Sequence, residues 1–329
     1  MTAAEEVAKA SLSSTVPDED DPVLESGFKA SAPLMSAWTS LVGPTLPHLS
    51  RPLLDRCGRV FAVLAGSPRD SEGWSQVVQE AGDALKRAQA KFKFDRKKAV
   101  HRRGRYASIT CGISYGGGQQ HPGNLAHTPH NRIVVDELLK NDAIRRLAGF
   151  GDACMRLYAP RLYEYYAGTM DIVCRDNPKL KRNFERGVFG AATFNLGPKV
   201  VTYVHTDHQN IPSGWCAVTA LGDFDYKKGG HLLLWDVKLA IEFPPGALIL
   251  LPSAILRHSN ATIAPRERRS SFTQFSAGGL FRWVECGCRS QKVFSAEGNT
   301  LAMTGAERWL RGVGMWSTWG QLKSALGRK

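Results

Sequence analysis

AATFNLGPKVVTYVHTDHQNIPSGWCAVTALGDFD, residues 191–225, is a succession of short apolar runs broken by Gly, Pro, Asn and Asp. The same texture continues through HLLLWD (231–236), LAIEF (239–243), ALILL (247–251), SFTQF (271–275) and LFRWV (280–284). With AATFNL, VVTYVH and WCAVTAL these make eight predicted strands. Turn residues between consecutive short strands indicate a sandwich or barrel, not alternating βαβ units.

The chemistry-bearing residues lie inside that region. His205 and Asp207 sit two apart on a predicted strand end, and a period of two places both side chains on one face. His258, after the apolar run ending LLPSAILR, would complete a set of two imidazoles and one carboxylate. Such a facial triad holds iron and leaves positions open for a cosubstrate and oxygen. After ten intervening residues comes Arg269-Ser270-Ser271. A guanidinium at the start of a strand, with the Ser271 hydroxyl on the same face, suits one end of a dicarboxylate. Each part recurs by chance in chains of this length, and the joint order of all of them is the restrictive signal. Arg269 is preferred over Arg268 because it shares strand parity with Ser271.

Working outward, Trp74, Val77, Val78, Ala81, Leu85 and Ala88 repeat at helical spacing. ITCGISYGGGQQHPGNL (109–125) reads as a strand entering a Gly-rich loop, without the Gly-Lys-Ser/Thr ending of a P-loop. Two helical patterns follow near 133–148 and 151–174, with Pro160 placed to kink or split the second. Residues 290–329 read as a helical appendage, and 1–35 as a disordered acidic tail. The part between, 36–186, is helical and basic and packs on a core at 187–289. Cys286 and Cys288 form a lone CxC pair, which does not make a zinc site, and His231 reads as a strand-start residue. His121, His127 and His130 lie among Pro, Gly and Asn, where a substrate loop or plain surface is expected.

The charge is unevenly placed. The net charge of +13 divides into −6 over residues 1–25 and +19 over the rest. Ten bases and one acid fall between Lys86 and Arg105, including Lys97, Lys98, Arg102, Arg103 and Arg105, with Phe92, Phe94 and Tyr106 interleaved. This suits a polyanion such as nucleic acid, and equally a solvated helix end or a localisation signal. Seven irregularly spaced cysteines suit reduced thiols in an intracellular protein. The acidic start is unlike a secretory signal, and no apolar run has the ~18 residues of a membrane helix.

From GISYGGGQQHPGNL, AATFNLGP, HTDHQN, GWCAVTALGDFD, GGHLLLWDVK, FPPGALILLPSAILRHSN and RSSFTQFSAGGLFRWV, the chain resembles the iron(II)- and 2-oxoglutarate-dependent dioxygenases. Over 108–286 it is similar to the fungal relatives of the TET/JBP nucleic-acid oxygenases. The resemblance implies an α+β fold with a double-stranded β-helix (jelly-roll, cupin-like) core, flanking N-terminal helices and a helical C-terminal appendage. It implies iron(II) on His205, Asp207 and His258, with 2-oxoglutarate as cosubstrate held by Arg269 and Ser271, and O2 as oxidant. Asn195 is either a further donor to 2-oxoglutarate or a turn residue before Gly197-Pro198. His208, Gln209 and Asn210 either read a substrate edge or lie exposed on a loop. The implied substrate is a methylated nucleobase, 5-methylcytosine in DNA first, extruded or single-stranded to reach the metal. Methylated DNA would be the partner, and residence in the nucleus follows if that DNA is chromosomal. A small-molecule or peptide oxygenase and a non-enzymatic nucleic-acid-binding barrel are the alternatives.

Overall fold

The structure, a computed structural model, describes residues 39–41, 50–94 and 100–326. The acidic tail expected at 1–35, and Lys97 and Lys98, lie outside the described residues.

Two sheets face each other. The larger has the strand order β2 (Arg51–Leu54), β3 (Val60–Gly66), β10 (Leu248–Leu251), β7 (Cys216–Asp223), β12 (Arg268–Phe275), β6 (Ala191–Leu196), β4 (Ala107–Ser114), β5 (Gly123–Asn124). The smaller runs β1 (Thr39–Leu41), β9 (Leu239–Ile241), β8 (Leu232–Leu234), β11 (His258–Asn260). All pairings are antiparallel except β1 with β9. The expected sheet-rich, jelly-roll core with flanking helices is what the chain forms.

Strand parity sorts the faces of the large sheet. Phe194, Leu196, Leu221 and Phe272 point outward into a core shared with α1 (Ser71–Lys91), α2 (Pro129–Lys140) and α3 (Asp142–Tyr158). Asp70 caps α1 and Thr128 caps α2, each accepting a backbone N–H of the first turn. Pro160 splits the predicted second helix at Ala159, because Pro is tolerated in a first turn but not in a helix interior; α4 (Pro160–Asp176) follows. On the inner face, Ala220, Phe224, Ile249 and Leu251 meet Leu232, Leu234 and Ile241 of the small sheet, filling one part of the sandwich with hydrocarbon. Register places Arg269, Ser271, Asn195, Thr193 and Thr110 on the inner face as well, so the rest of that interior is polar.

Two of the eight predicted strands differ. LFRWV lies in α5 (Gly278–Glu285), with Leu280, Phe281 and Trp283 buried on one side. A run of five mostly apolar residues reads alike for either period, and its flanks decide. Here Gly279 passes so close to Tyr115 that an added Cβ would stand 2.1 Å from its carbonyl oxygen. VVTYVH forms no continuous ladder. Its backbone is satisfied piecemeal: Val200 N–H donates to Arg269, Thr202 to the Asn260 side chain, Tyr203 to Arg103 and His205 to His258. Four strands of the large sheet, β2 to β5, come from before residue 187. After α5 the chain continues through α6 (Gln291–Ala296), α7 (Gly305–Gly314) and α8 (Trp319–Leu326), tied down by Val313, Trp316 and Leu322.

Candidate metal and cosubstrate site

His205 reaches the small sheet through a two-residue bridge. Its N–H donates to His258 O at 3.1 Å and the His258 N–H donates back at 2.9 Å, setting the ring centroids 4.3 Å apart. Asp207 follows in a turn fixed by its N–H to Ser253 O at 2.8 Å. His205 Nε2 lies 3.7 Å from Asp207 Oδ1, and His258 Nε2 lies 3.9 Å from Asp207 Oδ2. Among the described residues this is the one cluster of three His, Cys, Asp or Glu groups able to share an ion. His121, His127, His130, His231, Cys286 and Cys288 join no such cluster.

The donor set fits a metal. In each histidine Nδ1 contacts the carbonyl two residues earlier, Tyr203 or Leu256, at 2.8 Å. A carbonyl only accepts, so Nδ1 carries the proton and Nε2 presents a lone pair. Burial, then the neighbouring His258, pushes the His205 imidazole down to about 3, so it is neutral at pH 7. Burial alone would raise Asp207, but His258, His205 and Arg103 outweigh it and hold the carboxyl below its ordinary value. Separations of 3.7 and 3.9 Å lie within the ~4.4 Å spanned by two bonds of roughly 2.0–2.2 Å to one ion.

Arg269 is a buried cation without a counter-charge. It is 3% exposed; its Nη1 donates to Val200 O at 3.2 Å, and its Nε has no hydrogen-bond partner. No carboxylate among the described residues pairs with it. Burial brings its pKa down to about 10, still cationic at neutral pH. An uncompensated buried guanidinium is costly, so a carboxylate ligand fits this position better than water does. Beside it, Asn195 Nδ2 donates to Ser271 Oγ at 2.9 Å, and Asn195 Oδ1 is unpartnered. Arg269, Ser271 and Asn195 are therefore brought together, with the Asn195 amide committed to Ser271.

Tyr106 is the residue sequence reading missed. It is 5% exposed, its hydroxyl stands 3.5 Å from Thr202 Oγ1, and it feels the charges of both Arg269 and Asp207. It therefore lies near both halves of the site. Its position beside a basic run disguised it as an interleaved aromatic. Ser253, 1% exposed, was also missed; its hydroxyl bonds Asp207 and accepts Asn210 Nδ2 at 3.2 Å.

Of the expected substrate residues, His208 and Gln209 are exposed and Asn210 is half-buried; all three line a cavity of about 470 Å³. Arg102 and Arg103 lie on a tight hairpin docked beside the metal cluster, with Arg102 Nη1 donating to Thr206 O at 3.1 Å. Gly104 makes that approach possible: its φ is +148°, and a Cβ there would stand 2.4 Å from Val201 O. Arg105 is exposed.

No family model and no curated protein sequence matches the chain. Among solved structures it is similar to "NgTET1 in complex with 5mC DNA", at 13% identity and TM-score 0.52 over 75% of this chain and 87% of that one. It also matches an oxidoreductase of the 2OG-Fe(II) oxygenase family from Burkholderia pseudomallei, at 16% identity and TM-score 0.33 over 64% and 94% of the two chains. A prolyl-4-hydroxylase from Pseudomonas putida matches at 16% identity and TM-score 0.32 over 62% and 88%. The chain has the double-stranded β-helix fold of the iron(II)- and 2-oxoglutarate-dependent oxygenases.

Proposed function

We propose that the chain is an iron(II)- and 2-oxoglutarate-dependent dioxygenase that hydroxylates the methyl group of a methylated nucleobase in DNA, 5-methylcytosine first. The observation that carries the chemistry is the pairing, in one barrel, of the His205–Asp207–His258 cluster with the unpaired cation of Arg269. Support for the substrate is the fold likeness to NgTET1, solved with 5mC DNA, and the Arg102–Arg103 hairpin beside the cluster.

His205, Asp207 and His258 would hold the metal, which with 2-oxoglutarate and O2 supplies hydroxylation of a C–H bond, giving succinate and carbon dioxide. The chain's residues prepare the site. The carbonyls of Tyr203 and Leu256 hold the Nδ1 protons, so each neutral ring turns its Nε2 lone pair to the metal position. Ser253 holds the Asp207 carboxylate in place. Arg269 and the Ser271 hydroxyl bind the far carboxylate of the cosubstrate, and the hydrocarbon of Leu232, Leu234 and Phe224 keeps water from that end. Arg102 and Arg103 draw the phosphate backbone toward the cluster.

The test is one mass-spectrometric reading of succinate and digested nucleosides from protein, iron(II), 2-oxoglutarate and 5-methylcytosine duplex, with Asp207→Ala as control. Oxidised cytosine matched by succinate, and neither from the variant, is the expected result. Succinate with no altered base from any methylated DNA overturns the substrate.

A further inference from the structure

The cavity of about 470 Å³ is lined on one side by His208, Gln209 and Asn210, directly after the metal ligand Asp207, and on the other by α5 and α7. Four arginine and glutamate side chains converge there. Arg282 pairs with Glu285 at 3.3 Å and donates to Gln291 at 2.9 Å, so its charge is answered. Arg308 and Arg311 have no carboxylate partner among the described residues. Arg308 donates to the Met303 carbonyl, and Arg311 lies over the Tyr165 ring, 5.0 Å from its centroid. Tyr165, Arg282, Glu285, Arg308 and Arg311 all line this one cavity. These two guanidinium groups, without a carboxylate partner, come from i and i+3 of one helix, hence from one face of α7. That helix is firmly placed: Trp316 Nε1 donates to Ser213 O at 2.8 Å, and Gly312 packs so tightly that a Cβ would stand 2.1 Å from Ser213 Oγ. Asp207 thus lies in the chain between Thr206, which accepts from Arg102, and His208 to Asn210, which share the cavity with Arg308 and Arg311.

We propose that Arg308 and Arg311 form a second phosphodiester-binding site, which holds the nucleic-acid strand at a point separate from Arg102 and Arg103. This rests on the nucleic-acid reading above and adds to it. Two such clamps fix the strand at two points, and the cavity beside His208 and Gln209 receives the neighbouring nucleotide. Two unpaired, partly exposed guanidinium groups suit phosphate oxygens, which they can meet with paired hydrogen bonds.

The experiment is fluorescence anisotropy of a labelled 5-methylcytosine duplex against salt concentration, with the full chain. Each neutralised phosphate contributes about 0.9 to the slope of log affinity on log salt, so Arg308→Gln with Arg311→Gln should lower it by about 1.8. Affinity at moderate salt should fall by about tenfold or more. The paired change Arg308→Lys with Arg311→Lys keeps the charge and should keep the slope. A lysine pair as defective as the glutamine pair would mean lost packing of α7, and would overturn the clamp. A glutamine pair with the wild-type slope, while Arg102→Gln with Arg103→Gln lowers it, also overturns the clamp but leaves the nucleic-acid reading standing. Wild-type protein with no salt-dependent binding to the duplex removes that reading and the clamp together.

Discussion

Arg269 is the residue on which the cosubstrate assignment turns. A cation 3% exposed, with an unpartnered Nε, one carbonyl and the Phe224 ring 5.9 Å away, is stabilised by anything anionic that enters its cavity. Arg269→Ala should therefore weaken 2-oxoglutarate binding by about 1.5–3 kcal/mol, the worth of a charge-assisted hydrogen bond. Calorimetric titration of the metal-loaded variant measures this, and an unchanged dissociation constant would transfer the role to another base. The grouping of His205, Asp207 and His258, and the shared face of Arg269 and Ser271, were legible in the sequence because order and parity survive without coordinates. Tyr106 was not, since nothing in its neighbourhood in the sequence distinguishes a buried phenol from an aromatic among surface bases. Asn210 follows Asp207 closely in sequence and donates one amide N–H to the Ser253 hydroxyl at 3.2 Å.

At the scale of elements, the approach of β7 to β12 places Arg269. Gly222 stands opposite it in register with φ +123°, and an added Cβ would lie 2.2 Å from Arg268 O. Both the backbone angle and the close approach exclude a side chain. Gly222→Ala should cost about 2 kcal/mol or more, at the upper part of the range for strained backbone. Chemical denaturation should show a lower midpoint at unchanged slope, and an unaltered midpoint would contradict the packing described. Strands recognisable by apolar runs between turn residues, β6, β7, β10 and β12, were legible for this reason. LFRWV was not, because its neighbours, rather than its own pattern, make it a helix. VVTYVH looked like a strand but borrows each hydrogen bond from a different partner, and only His205 of the run is bridged to β11.

For the whole molecule, hydrocarbon cores line both faces of the large sheet and none of them includes His205, Asp207 or His258, so the chain is expected to fold without an ion. Metal binding should add to stability by mass action, about 2.7 kcal/mol when free metal is a hundred times its dissociation constant. Thermal melts with and without a redox-inert divalent metal test this: the wild type should shift upward and Asp207→Ala should not. Equal shifts would place the metal elsewhere. Sequence texture could not show that β2 to β5 join the large sheet, since pairing between strands far apart in the chain leaves no local pattern.

Oxygenase chemistry at His205, Asp207, His258 and Arg269 is tested most directly by anaerobic titration of the protein with iron(II) and 2-oxoglutarate, followed by visible absorbance, because chelation of the cosubstrate by the metal colours the complex without any need for the substrate. The wild type should gain a saturable band that Asp207→Ala lacks and that Arg269→Ala reaches only at higher 2-oxoglutarate. A colourless wild type, or a band unchanged in Asp207→Ala, would contradict the assignment.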